Sequence, residues 1–401
     1  MLRTLATILT LGLAVASPSL EARGDDPHKL IIGAPFQVLT ADFDGTKFTI
    51  TGNVTTVGSA PSWLLYKQPN LVYAVNENAN DTSLFQLREN HSNLTLLSSI
   101  TNGALGVVHL EFNFFQTIMV GAGYGSGMIY VWNSALPDGT LELVKQVNIT
   151  GKLGPKQPNQ AAHHPHQAAI DPLGRFFLIP NLGGDAIEIL DTHNGLSTLT
   201  RRPLFAGSGP RHGGFLQDQR NKVTYYAVVC ELSNEVKFFK VKYLPSGIKL
   251  LHVSTQSTYG PGFGPANKTT AAAGEIVIAR NMRDVYISNR LSGNETDSIS
   301  HFIFNPPEGT DRNLNATLTF DELVSSGGIA PRMFSLSADG EERIVFVANQ
   351  GGENGLLAMR RDLETGNIDP KPIATVLNTD LVAPQLATQA NMGPYFIQEI
   401  V

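Results

Sequence analysis

Three histidines fall within four residues in His163-His164-Pro165-His166. An unperturbed imidazole titrates near neutral pH, so it can accept or deliver a proton under ordinary conditions. Further along the chain stand Arg211-His212 after Gly209-Pro210, Glu231 after the apolar run Thr224–Cys230, Arg290 after Asp284–Asn289, and Arg332 after Ala330-Pro331. An imidazole, a carboxylate and several guanidiniums together suit chemistry at a carbonyl. Opening a lactone needs a base to activate water, a cation for the tetrahedral oxyanion and an acid for the departing alkoxide. The reverse type of reaction, adding a carboxylate to an alkene, needs a carboxylate clamp and a proton donor. The planar guanidinium, cationic at neutral pH, serves either task. The candidate catalytic residues are His166, Arg211, Glu231 and Arg290, and the candidate substrate contacts are Arg332, His212 and His164. His166 is favoured for proton transfer, with Glu231 as base or orienter. His163 and His164 also read as loop residues or hydrogen-bond donors. A metal is not expected, since no complementary Cys or Asp/Glu set recurs at fixed spacing.

Residues this far apart need a frame that brings them together, and the frame is a repeat. An opening strand, a second apolar strand and a third strand recur six times. The units open at Ser62-Trp63-Leu64, Val107-Val108-His109, the histidine cluster, Gly209-Pro210-Arg211-His212, Ala273-Gly274-Glu275 and Ala330-Pro331-Arg332. Their second strands are Leu71–Asn76, Thr117–Gly121, Phe176–Asn181, Thr224–Glu231, Asp284–Arg290 and Arg343–Asn349. The runs are short, β-branched and aromatic, and they alternate with Gly/Asn turns such as Asp171-Pro172-Leu173-Gly174, so helices are excluded. A meander with a period of roughly 45–60 residues is the signature of propeller blades, which must stack radially to bury both faces. The expectation is an all-β, seven-bladed β-propeller with four-stranded blades. Its ring is closed by N- and C-terminal strands, the seventh blade pairing Lys371–Leu377 with the strands between Leu30 and Phe43. Equivalent positions in different blades then point at one channel mouth. Arg211-His212 open the fourth unit where His164 and His166 open the third, and Glu231 and Arg290 both end second strands.

The motifs His164-Pro165-His166-Gln167, Gly209-Pro210-Arg211-His212, Glu231-Leu232-Ser233, Ser288-Asn289-Arg290 and Pro331-Arg332 resemble those of the seven-bladed lactonase propellers. That family includes 6-phosphogluconolactonase and the 3-carboxy-cis,cis-muconate lactonizing enzyme. The resemblance runs from about Leu30 to the tail and implies site residues at His166, Arg211, Glu231 and Arg290, with Arg332 nearby. It implies no cofactor, and a small-molecule lactone or dicarboxylate as partner. The chain departs from the pattern at Cys230, where Asn is common, and at Gly213-Gly214 after the Pro-Arg-His motif.

Composition bounds the partners. A net charge of −6, with no basic run, argues against nucleic acid and against an anionic membrane. The start, Met1-Leu2-Arg3 followed by an apolar run from Leu5 to Ala16, reads as a signal peptide over 1–16 with cleavage near 16–22. It is too short to span a bilayer. Sequons at Asn53, Asn80, Asn90, Asn93, Asn148, Asn267, Asn294 and Asn315 fit a secreted, glycosylated protein. The single Cys230 cannot form an intramolecular disulfide and reads as a buried structural thiol. A secreted monomer with one propeller domain over 29–401 is therefore expected, acting as a lactonase on a sugar-derived (aldono-) or other organic lactone. The alternatives are a lactonizing cycloisomerase and a non-catalytic propeller that binds a glycan or protein.

Overall fold

The computed structural model describes residues 26–100, 104–196 and 199–401. The expected signal peptide lies outside the described residues. Among them the chain forms seven four-stranded antiparallel sheets. Six are consecutive meanders, with inner strands starting at Leu64, Val107, Ala169, Pro210, Ala272 and Ile329. The seventh is composite. His28–Ala34, Gln37–Phe43 and Phe48–Thr55 supply three strands, and Phe396–Ile400 supplies the inner one.

The propeller with four-stranded blades and a ring joined by both ends of the chain is thus as expected, with one correction. Ala374–Leu377 is the outer strand of the sixth blade, paired with Asn354–Ala358, and is not hydrogen-bonded into the sheet of the early strands. The closing strand is Phe396–Ile400, in register Gly33↔Phe396 to Lys29↔Ile400. Its five residues hold three strong apolar side chains, and Phe396 and Ile397 are completely buried. The outer strand is short and its exposure alternates. Burial therefore favours the Phe396–Ile400 segment for the channel side.

Position in the blade explains the pattern within each unit. Second strands have neighbours on both faces, so they read as unbroken apolar runs: Phe177, Leu178 and Ile179 have no solvent exposure. Outer strands face solvent on one side and alternate, as Glu142–Asn148 does. The turn between the first two strands of the third blade is held by Asp171, whose Oδ1 accepts from the Arg175 and Phe176 amides, with Gly174 at φ 72°.

The inner strands share one irregularity. Near its start, each of several carries one residue more than its partner strand. The extra residue falls between Val107 and His109, between Pro210 and His212, between Ala273 and Ile276, and between Pro331 and Met333. The third blade does the same between Pro165 and Ala169, which lie opposite Asn181 and Leu178. Such a bulge breaks strict alternation and re-aims a side chain. Adjacent residues such as Arg211 and His212 can then both contribute to the channel.

Because Ile397 fills the joint between the chain ends, Ile397→Ala should cost about 2–5 kcal/mol by leaving a cavity there. Urea denaturation with matched m-values would measure it. A loss below about 0.5 kcal/mol would mean that the closing strand contributes little to the ring.

Candidate active site

The residues re-aimed by the bulges gather at one end of the channel. Val108, Arg211 and Arg332 line a cavity of about 300 Å³ together with His166, Glu231 and Arg290. Glu77, Asn78, Tyr124 and Gly125 complete its wall. The expected set of His166, Arg211, Glu231, Arg290 and Arg332 is therefore assembled from four different blades.

Guanidinium–carboxylate pairs set the walls. Glu231 Oε2 lies 3.0 Å from Arg211 Nε and 2.9 Å from Arg290 Nη2. Backbone carbonyls of the fifth blade fix the same two side chains. Arg211 donates to Gly274 O at 3.0 Å, and Arg290 donates to Ala273 O at 3.1 Å. Arg332 makes a two-pronged pair with Glu77, which locks both planes. Burial favours the neutral acid at Glu77, but the charge and hydrogen bonds of Arg332 outweigh it and hold the carboxyl below its usual range. Burial and the neighbouring Arg290 lower Arg211 to about 9, so it remains a cation at neutral pH. Three guanidiniums thus face two carboxylates, and the cavity favours an anionic or strongly polarised ligand.

His166 sits in the cavity wall with only 6% exposure. Its amide donates to Pro180 O at 2.9 Å, which pins the strand start. Its Nδ1 lies 3.1 Å from His212 Nε2, and His212 Nδ1 lies 2.9 Å from both carboxylate oxygens of Glu275. Burial, reinforced by Arg211, pushes His166 well below the ordinary histidine range, so at neutral pH it is an uncharged imidazole able to accept a proton. Burial and the arginines do the same to His212. Tyr124 packs edge-on to His166, with ring centroids 5.3 Å apart. Burial and the charge of Glu231 push its hydroxyl up to about 12, so it stays a donor.

The three clustered histidines have separate partners. His163 Nδ1 meets Asn181 Nδ2 at 3.0 Å, and His164 Nδ1 donates to Tyr124 O at 2.7 Å, stacking on that ring at 4.3 Å. His164 supports Tyr124 from behind and does not line the cavity, and His212 lies one layer below it. Cys230 is fully buried, and burial raises its thiol pKa, so it is an inert packing residue beside Glu231.

Sequence reasoning missed Glu77, Tyr124 and Glu275. Tyr124 directly follows the second strand Ile118–Gly123, as Glu231 follows Val223–Cys230. The register that marked Glu231 would have marked Tyr124 had it been applied to every blade. Glu77 stands two residues past its second strand, Leu71–Val75, and Glu275 looked like one polar residue in an apolar strand.

The ring of seven blades thus carries a cationic cavity at its channel mouth, with an uncharged histidine in the wall, a setting that suits an anionic or strongly polarised ligand. The sequence over residues 30–379 matches the family described as "Lactonase, 7-bladed beta-propeller", and the chain belongs to that family. It is 32% identical over 348 residues to a protein named "Probable 6-phosphogluconolactonase" from Arthroderma benhamiae, covering 84% of this chain and 83% of that protein. A "6-phosphogluconolactonase" from Formosa agariphila is 24% identical over 300 residues, covering 73% of this chain and 78% of that protein. Among solved structures, the periplasmic gluconolactonase of Pseudomonas aeruginosa superposes with a TM-score of 0.75 at 21% identity, covering 94% of this chain and 99% of the other. That likeness shows the fold. The relatives support lactone hydrolysis, and nothing among them favours a lactonizing cycloisomerase.

The buried histidines generate a stability prediction. His109, His166 and His212 all lie well below the ordinary value, with burial as the first cause. Groups held neutral by folding take up protons on unfolding once the pH drops below about 6.5, so stability is lost in that direction. The melting temperature should fall as pH is lowered from about 7 toward 5. His109→Gln, which keeps a polar side chain in the second blade, should flatten that slope. An unchanged slope in thermal melts would show that His109 is charged in the folded state.

Proposed function

We propose that the protein is a secreted lactonase that hydrolyses a sugar-derived (aldono-) lactone without a cofactor. The observation that supports it most is the pairing of neutral His166 with Arg211 and Arg290 across one cavity. In this reading the lactone carbonyl oxygen lies against the guanidiniums of Arg211 and Arg290. Each has five N–H donors, more than its protein partners use. His166 takes a proton from water as the water oxygen bonds to the carbonyl carbon. The negative charge moves onto the carbonyl oxygen, where the arginines hold it. On collapse the ring C–O bond breaks, and the proton on His166 passes to the leaving oxygen, with the Tyr124 hydroxyl as a second donor beside it. The acid product loses its proton to solvent, and Arg332 offers it a cation. Glu231 acts as orienter, since its Oε2 is shared between two arginines and sets their separation.

Export is supported by the apolar leader over 1–16 and by the exposure of all eight sequon asparagines. A propeller that only binds a glycan or protein would need no neutral imidazole between paired guanidiniums.

Acid release from gluconolactone, and separately from its 6-phosphate, should exceed the spontaneous rate. Arg211→Ala should lower kcat/KM by about 10²–10³-fold, the loss typical for one oxyanion donor. The pH profile should be a bell. Its acid limb should lie below the usual histidine value, because His166 must be neutral. Its alkaline limb should fall near 9, where Arg211 loses its charge. Equal rates for wild type and Arg211→Ala across a panel of lactones would sink the reading.

A further inference from the structure

We propose that Glu275 is a positioning residue that orients a buried histidine pair, so that His166 presents an unprotonated Nε2 to the cavity. The inference rests on the lactonase reading for its kinetic part only. Its geometry stands independently.

The chain of contacts runs downward from the cavity. His166 forms part of the cavity wall, and its Nδ1 faces His212 Nε2 at 3.1 Å. His212 Nδ1 then meets Glu275 Oε1 and Oε2, each at 2.9 Å. All three side chains are more than nine-tenths buried, with exposures of 6%, 2% and 4%. Two neutral imidazoles and a carboxylate in series can be arranged in two polarities. In one, every N–H points down toward the acid. In the other, a protonated acid points up.

The surroundings of Glu275 select the first. Its Oε1 also accepts the Ile276 amide N–H at 3.0 Å, and a backbone N–H can only donate. Its own amide donates to Ser288 Oγ at 2.8 Å, which holds the residue in place. A carboxylate equidistant from His212 Nδ1 through both oxygens behaves as an acceptor. His212 therefore carries its proton on Nδ1, and its Nε2 is a lone pair. His166 must then donate through Nδ1, which leaves Nε2 bare. Among the described residues no protein atom bonds that nitrogen, so water or substrate is left to meet it.

The charged groups facing this chain come from every side. Arg211, Arg290 and Arg332 lie above, His109 of the second blade lies beside it, and Glu231 adds one negative charge from the mouth. The cations oppose an imidazolium, and Glu275 is the carboxylate in direct contact with the pair. When His166 removes the water proton, the new positive charge can be shared downward. The His166 Nδ1–H bond breaks as a bond to His212 Nε2 forms, and His212 Nδ1–H moves toward Glu275. Protons are conserved throughout, and the sequence reverses when the leaving oxygen is protonated.

The test has two arms. Nitrogen-15 spectra of uniformly labelled wild-type protein at pH 7.5 distinguish the two tautomers of each histidine. His166 and His212 should both appear as Nδ1–H, Nε2-lone-pair forms. An Nε2–H signal on His166 would overturn the proposal whether or not any lactone is turned over. In the kinetic arm, Glu275→Gln removes the charge with little change in volume. It should lower kcat by about 10²-fold or more while KM changes by less than about threefold. The acid limb of the kcat/KM profile should move to lower pH, since the lost negative charge had favoured the protonated histidine. A role in packing alone would lower activity without moving that limb, and an unmoved limb would refute the proposal. Combining Glu275→Gln with His212→Gln should cost little beyond either single change, because both break one chain. Failure to hydrolyse any lactone would refute the functional reading and leave the tautomer assignment to the spectra.

Discussion

The pairing of Phe396–Ile400 with His28–Ala34 is the constraint on which everything else rests. A twisted four-stranded sheet cannot bury both faces alone, so each blade depends on its neighbours and the series must meet itself. Disulfides do not assist, because the chain has one cysteine and it is buried. Closure is therefore made by backbone hydrogen bonds and apolar packing. The largest apolar cluster lies around this joint, where Leu30, Ile31 and Ile32 meet Phe396 and Ile397. The side chain of His28 adds a polar clasp to Glu399 at 2.9 Å.

A closed ring makes a site out of residues that no local segment could assemble. Glu77 and Arg332 are paired although 255 positions separate them. The rigidity matters to the chemistry. Arg211 and Arg290 repel one another, and Glu231 holds them together only because their strands fix the distances. Burial then does two different things to charge. It keeps His166 uncharged, and it leaves Arg211 a cation at neutral pH, since the intrinsic proton affinity of a guanidinium is far greater.

Much of this was legible in the sequence, and the physical reason is uniform. Second strands are apolar on both faces, so their ends are sharp, and a charge at such an end is conspicuous. Glu231 and Arg290 were found in that way, and Arg211 and Arg332 by their matching places at the openings of their units. The closing strand was misplaced because Lys371–Leu377 and Phe396–Ile400 are similar in length and apolar content, and only tertiary burial separates an outer strand from an inner one. Glu275 was overlooked because a lone acid in an apolar strand has no sequence partner. Its partner His212 lies 63 residues away, in the blade before it. His164 shows the opposite case, a residue beside the catalytic candidate whose ring turns to support Tyr124.

The bulges at the starts of the inner strands have a consequence for how such a protein can change over generations. Those of the second, fourth and sixth blades each supply two successive residues, so the site is two storeys high. Val108, Arg211 and Arg332 stand on the upper storey, and His109, His212 and Met333 follow them on the lower. Guanidiniums of Arg211 and Arg332 stand above, and the imidazoles of His109 and His212 lie below them. Because both storeys are built on the same strands, a change that shifts Arg211 also shifts His212, and neither level can drift without the other.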